Sequence, residues 1–279
     1  MSGDEVEYCA EAVRKGDRDR WLCALFAPEA ARPAVLALLA FNLELARIRD
    51  SVREPHMALI RLQWWRDAIG EAVAGAPRRH PVCIALADGL ARHEAMASLL
   101  NAMIDAREKD IEEMPFVTMA DLVAYAEATS GALARGVALA FGLHGADAAQ
   151  SALALGRGWA LVGLVRAAAH QAALRRCPVP AQILSDNGVD VEAWFAGRPG
   201  PGAAGAIRAI SLQAQSSFAA AHPAALRDAG LVLGGLAILG RTHLKRVARA
   251  GHDPFAPELA AASPSDPVRL AFSWLLRRW

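Results

Sequence analysis

The sequence predicts an all-α protein, and three observations carry that prediction. Ala, Leu and Val dominate the 279 residues while Tyr, Thr and Ile are sparse, a mix that favours helix because unbranched side chains lose little rotamer freedom there. Apolar residues recur with helical periodicity along most of the chain. Pro and Gly clusters punctuate that pattern. A chain of this length buries most of its apolar side chains in a sizeable core.

The elements follow in order. The opening stretch MSGDEVEYCAEAVRKGDRDR is charged and has no apolar core of its own, so a signal peptide is not expected. From Pro28 to about Val52 a helix begins with a proline in its first turn and is apolar nearly all round through AVLALLAF, as a central buried helix is. ALIRLQWWRDAIGEAVAG follows, with Leu62, Trp65, Ile69 and Val73 on one stripe, until GAPRRHP at 75–81 breaks the chain. A helical pattern from Val82 to about Glu113 ends in DAREKDIEEM, where Asp105 and Lys109 at i, i+4 mark a solvated face. Two further long helices are expected at about 118–142 and 147–176. FAGRPGPGAAG at 195–205 reads as a loop, since its Gly and Pro content does not suit a helix interior. Helix resumes over about 206–250 with an interruption near AHPAA, and DPVRLAFSWLLRRW at 266–279 closes the chain as an amphipathic segment. No internal repeat and no composition shift marks a boundary. One domain is expected over 1–279, with its core at about 18–255.

Composition narrows the function classes. Thirty basic and 29 acidic residues leave a formal net charge of +1, so no global field draws in nucleic acid or an anionic membrane. The basic clusters RTHLKRVAR and PRRH are not interleaved with aromatics, and a nucleic-acid partner is not expected. Cys9, Cys23, Cys83 and Cys177 lie far apart with no CxxC pair and read as buried free thiols in a reducing compartment. The longest uncharged apolar runs, such as AGLVLGGLAILG at 229–240, stop short of the roughly 20 residues of a membrane span. A soluble or peripheral protein is expected, cytoplasmic or on the inner face of a membrane.

Several catalytic signatures are missing. The sequence has no GxGxxG, P-loop or HExxH, and Ser130 in TSGAL lacks the GxSxG elbow. GRGWALVG lies inside a helical pattern, where its glycines serve close helix packing. Two helices matter more. In FNLELARIRD, positions 46 and 50 are one turn apart, so carboxylates at both would form a metal-binding pair, but the residues are Ala46 and Asp50. In LVRAAAHQAAL, positions 167 and 171 have the same relation and hold Ala167 and Gln171. Asp67 and Glu71 in RLQWWRDAIGE form the one neat carboxylate pair near these segments, and a solvent-facing helix explains it more simply than a metal does.

The ordered series RDRWLCALFAPEAARPAVLALLAFNLELARIRD, RLQWWRDAIGE, DLVAYAEATSGAL, GWALVGLVRAAAHQAALRRCPVP and LKRVARAGHDPF resembles the squalene/phytoene synthase superfamily from near Arg18 almost to the C-terminus. The resemblance implies an all-α isoprenoid-synthase bundle around a central cavity. Active members carry two DxxxD motifs that hold magnesium against prenyl diphosphates, because a diphosphate leaves readily only when hard cations neutralise it and hard cations need oxygen ligands. Here the first motif keeps only Asp50, and the second, at Ala167 and Gln171, keeps neither aspartate. AFNLEL and the degraded second motif are similar to the branch of the superfamily that includes a mitochondrial complex I assembly factor.

What remains at the implied site is Glu44, Arg47, Asp50, Arg166 and His170, with Tyr125 matching a tyrosine that the family places near the cavity. Two readings are open. The cavity binds an anionic or amphipathic ligand such as a lipid or prenyl phosphate, or Arg166 or Arg47 pairs internally with Asp50 or Glu44 to avoid unpaired buried charge. At the C-terminus, Phe272, Trp274 and Trp279 mixed with Arg277 and Arg278 suit a helix lying in a membrane interface, although a terminal helix docked on the protein has the same pattern. The leading expectation is a non-catalytic member with no catalytic residue, no metal and no cofactor, acting at a membrane as an assembly or lipid-binding factor. Its expected partner is a respiratory-complex subunit or a lipid. The alternative is a magnesium-dependent prenyltransferase making a squalene- or phytoene-like product.

Overall fold

The computed structural model describes residues 3–52, 54–261 and 263–276, and every regular element among them is helical. The chain opens with α1 (Gly3–Gly16), α2 (Arg18–Ala24), α3 (Arg32–Ser51), α4 (Pro55–Val73), α5 (Pro81–Arg92) and α6 (Glu94–Ala106). It continues through α7 (Met119–Ala126), α8 (Ala132–Ala140), α9 (Ala146–Arg166), α10 (Ala168–Ala173), α11 (Ala181–Asp186) and α12 (Val191–Phe195). The last helices are α13 (Ala203–Ala219), α14 (Gly230–Arg249) and α15 (Asp266–Leu275).

The central helices are those with little polar surface. Along α3 every residue from Val35 to Leu43 is buried, and Pro33 sits in its first turn, where a missing N–H is harmless. α4 docks on it through Leu62, Trp65 and Ile69, with the Phe41 and Trp65 rings edge to face at 5.3 Å. Val73, expected on the same stripe, is 56% exposed at the helix end. α9 runs through the other half of the bundle, against α8, α13 and α14. By composition α9 and the segment Pro223–Arg249 are long and apolar enough to cross a membrane, but most of each is buried inside the fold.

Several boundaries differ from the sequence expectation. α1 belongs to the core, with Cys9 and Val13 fully buried against α3 and α5. Two residues on one helical face dock it, a signal too sparse to outweigh so many charges. Leu259 and Leu270 also join the core, which therefore extends beyond 18–255. The long pattern from Val82 breaks at His93, whose extended backbone (φ −131°, ψ 102°) turns α5 into α6, and a 3₁₀ turn over Arg107–Ile111 replaces the last helical turn. The pattern at 118–142 begins with a capping box between Thr118 and Asp121 and is interrupted by a π turn at Glu127–Gly131. α9 stops at Arg166. Ala167 leaves helical geometry (φ −88°, ψ 1°) before α10 resumes.

Two of the three glycines of GRGWALVG, Gly156 and Gly158, serve close packing. A Cβ on Gly156 would fall 2.1 Å from the Ser130 carbonyl oxygen, so α9 crosses the π turn only because position 156 has no side chain. Gly163, on the same helix, has nothing within 4 Å of its ideal Cβ. Chemical denaturation is expected to separate the two. Gly156→Ala lowers stability by about 1–3 kcal/mol through overpacking, while Gly163→Ala raises it by about 0.5–1 kcal/mol through helix propensity.

Candidate functional site

The C-terminal end of α3 and the break between α9 and α10 face one another across a cavity of about 250 Å³. Ala46 and Asp50 line it from α3, Gln171 from α10, Arg107, Lys109, Asp110 and Glu112 from the 3₁₀ turn and its exit, and Phe116, Tyr125 and Arg176 complete the wall. The two degraded motifs therefore do converge. Deeper in the bundle, between Arg20, Ser130, Leu39 and Leu233, the helices leave a void of about 10 Å³, at the limit of what holds a single water.

Three carboxylates meet three cations in this wall. Arg176 Nη2 donates to Asp50 Oδ1 at 2.6 Å, Arg107 Nη1 to Asp110 Oδ2 at 3.1 Å, and Lys109 Nζ to Glu112 Oε1 at 3.0 Å. Arg176 is aimed by its backbone. Arg175 takes a left-handed conformation (φ 53°), after which Cys177, Ala181 and Gln182 donate backbone N–H groups to the carbonyls of Glu113, Phe116 and Val117. That pairing fixes the Arg176 side chain, 11% exposed, over Asp50.

Arg107 is the second anchor. Besides Asp110 it donates to the Tyr125 hydroxyl at 2.9 Å and to Asn42 Oδ1 at 3.3 Å, and Tyr125 donates to Asp110 Oδ1 at 2.6 Å. Burial pushes the Tyr125 hydroxyl well above its ordinary range, and Asp110 adds to this against the opposing charge of Arg107. Burial pulls the Arg107 guanidinium down, but Tyr125 and Asp110 outweigh it and raise the value. Cys177, which also lines the cavity, is pushed up by burial to about 12, and its thiol is unreactive at neutral pH.

The expected site residues divide. Asp50 and Tyr125 line the cavity, and His170 stands at its rim with Nε2 3.8 Å from Asp50 Oδ2. Glu44 and Arg47 do not reach it. Glu44 lies beside Tyr8, whose hydroxyl is raised by burial and then by this carboxylate, and Arg47 packs over Gly16 at the end of α1. Six residues from Asp50, Glu44 is turned by about 120° on an ideal helix. Arg166 also points elsewhere. Its Nη1 donates to Asp19 Oδ2 at 3.0 Å and its Nε to the Leu259 carbonyl at 3.1 Å. The internal pairing expected of Arg166 or Arg47 with Asp50 or Glu44 is thus made by Arg176 for Asp50 and by Asp19 for Arg166.

Arg107, Lys109, Asp110, Glu112 and Arg176 are the charged cavity residues that sequence reasoning missed, with Asn42 behind Arg107 as its acceptor. DAREKDIEEM reads as a solvated face, and Asp105 and Glu108 are indeed surface partners of Arg66. The i, i+3 pair of Arg107 and Asp110 was the available signal for an inward turn. Asp67 and Glu71 are half exposed and gathered by Arg78, at 3.8 Å and 2.7 Å, outside the cavity.

The cavity can be tested against the magnesium that the resemblance implies. Asp50, Asp110 and Glu112 are each engaged by a cation, and positions 46, 167 and 171 offer one neutral amide between them. Mg²⁺ takes near-octahedral oxygen coordination with carboxylates to anchor it. This donor set does not fit it.

The squalene/phytoene synthase family model matches residues 13–271. The chain belongs to the squalene/phytoene synthase family. Among its relatives, the mouse protein named NADH dehydrogenase (ubiquinone) complex I, assembly factor 6 is 29% identical across 97% of this chain and 82% of its own length. The human protein of that name is 29% identical across 96% and 81%. A dehydrosqualene synthase crystallised with a ligand superposes with a TM-score of 0.83 at 17% identity, covering 98% of this chain and 97% of its own, which establishes the isoprenoid-synthase fold.

A second polar cluster stabilises the family fold beside the cavity. Asp19, 7% exposed, accepts from Arg166 and contacts His243 Nε2 at 2.9 Å, tying α2 to α9 and α14. Burial raises the Asp19 carboxyl, but the His243 hydrogen bond and the Arg166 charge overcome this and hold it below its ordinary value. Its contribution to stability is present above the unfolded carboxylate value of about 3.9 and lost as pH falls through the lower folded one. Asp19→Asn is expected to cost about 3 kcal/mol at pH 7, the scale of a broken buried pair. It should also flatten the acid limb of stability against pH in calorimetry. A loss under about 1 kcal/mol, the scale of a surface pair, would contradict this.

Proposed function

We propose that this family member binds an anionic ligand without turning it over and acts at a membrane surface as an assembly factor of the respiratory complex I type. The observation that carries the non-catalytic reading is the Asp50–Arg176 pair at 2.6 Å, a cation of the chain itself on the last aspartate of the two motifs. With Ala46, Ala167 and Gln171 at the remaining positions, the two motifs anchor no divalent cation to neutralise the charge that develops on a departing diphosphate. The ligand fitting this cavity is a lipid or prenyl phosphate, its anionic group held by Arg176, with His170 at the rim and Asp50 displaced.

The assembly role is supported by the mouse and human relatives, which span nearly the whole chain and carry that name. In this reading the partner is a respiratory-complex subunit, no metal or cofactor is required, and the protein sits on the cytoplasmic side, on the inner face of the membrane. Membrane contact is supported by α15, where Phe272 and Trp274 are 61% and 62% exposed. Arg277, Arg278 and Trp279 lie outside the described residues.

Purified protein given farnesyl or geranylgeranyl diphosphate with magnesium is expected to release no pyrophosphate above a protein-free control. Steady release would refute the non-catalytic reading. Deleting the gene in its native host should lower NADH:quinone oxidoreductase activity and assembled complex I, with succinate oxidation unchanged. Equal loss of both activities, or of neither, would argue against the assembly role.

A further inference from the structure

The groove between α14 and α15 has a chemistry that the central cavity does not use. α15 is attached to the bundle along one edge. Leu270 is fully buried against Gly235 and Cys23 of α14 and α2, and the buried Asp266 faces Arg18 at 3.9 Å. Its other face is open, with Val268, Phe272 and Leu275 at 71%, 61% and 70% exposure. Between the helices runs an open groove of about 660 Å³, walled by Arg241 and Lys245 from α14 and by Arg269, Val268 and Phe272 from α15.

Three cations line this groove and no carboxylate does. Arg241 donates one bond to the Phe218 carbonyl at 3.3 Å, and among the described residues none of the three forms an ion pair. Some surface arginines of this chain are matched by acids, as Arg78 is by Glu71 and Arg175 by Glu192; what sets the groove apart is that three unpaired cations converge on one open space beside apolar side chains. Unmatched cations beside an exposed apolar helix face complement one surface in particular, a bilayer with acyl chains under negatively charged headgroups.

We propose that this groove seats the headgroup of an anionic phospholipid while Val268, Phe272 and Leu275 enter the acyl boundary. The proposal rests on the membrane placement put forward above and names the lipid class and the residues that read it. Arg241 and Lys245 lie one turn apart on α14 and Arg269 opposes them, so a phosphate between the helices is approached from both sides.

Co-sedimentation with vesicles of phosphatidylcholine alone, or of phosphatidylcholine mixed with phosphatidylglycerol, tests it. The full chain is expected to prefer the mixed vesicles, with the preference fading as salt rises. Lys245→Gln/Arg269→Gln, both exposed positions, should weaken binding to mixed vesicles by about 30-fold, about 5-fold per cation, and leave the circular dichroism unchanged. Phe272→Ser should weaken binding to both vesicle types. Equal binding of wild type and double variant to both types would overturn the headgroup site and leave the membrane placement standing. Absence of binding to either would overturn both. Release by inorganic phosphate at constant ionic strength would show a site for the free anion and overturn the lipid assignment.

Discussion

The pairing of Asp50 with Arg176 is the interaction on which the site depends. Asp50 is 45% exposed at the cavity mouth, and it is the largely buried Arg176 guanidinium that needs the counter-charge, since burying an unpaired charge costs several kcal/mol. In the metal-dependent chemistry of this fold, a divalent cation would stand against the carboxylate. Here the chain supplies a guanidinium, aimed by the left-handed turn at Arg175 and by backbone bonds from 177–182 to 113–117. The same solution recurs at Asp110 with Arg107 and at Glu112 with Lys109, so the wall is internally neutral without any bound group.

Around that wall, charge pairing and close packing fix the helices together. Asp19 binds α2 to α9 and α14, Arg107 joins the 3₁₀ turn to α7 and α3 through Tyr125 and Asn42, and Gly156 lets α9 lie directly on the π turn. Between Arg20, Leu39, Ser130 and Leu233 the helices leave room for no more than one water.

Much of this was legible in the sequence. The apolar run through AVLALLAF predicts a buried α3, although that helix starts at Arg32 with Pro33 in its first turn rather than at Pro28. The proline of DPVRLAF marks the start of α15, and the family resemblance implies the approach of the two depleted motifs that Ala46, Asp50 and Gln171 make across the cavity. What escaped was rotation and local breaks. Arg166 and His170 share a face only if the helix continues through Ala167; the break there re-aims α10 and His170, while Arg166, at the end of α9, is bonded to Asp19. Arg107 and Asp110 hide in a charge run that periodicity assigns to solvent, because a 3₁₀ turn rather than an α turn presents them inward. The amphipathic α1 carries too few apolar residues for composition to separate it from a charged tail.

Arg176 stands on Asp50 where a magnesium ion would have to bind. Isothermal titration of Mg²⁺ into the protein saturated with a non-hydrolysable farnesyl diphosphate analogue tests it most directly. No saturable metal binding beyond that of the free analogue is expected for the wild type or for Arg176→Ala. Stoichiometric uptake of two or more Mg²⁺ ions by the wild-type complex would contradict it.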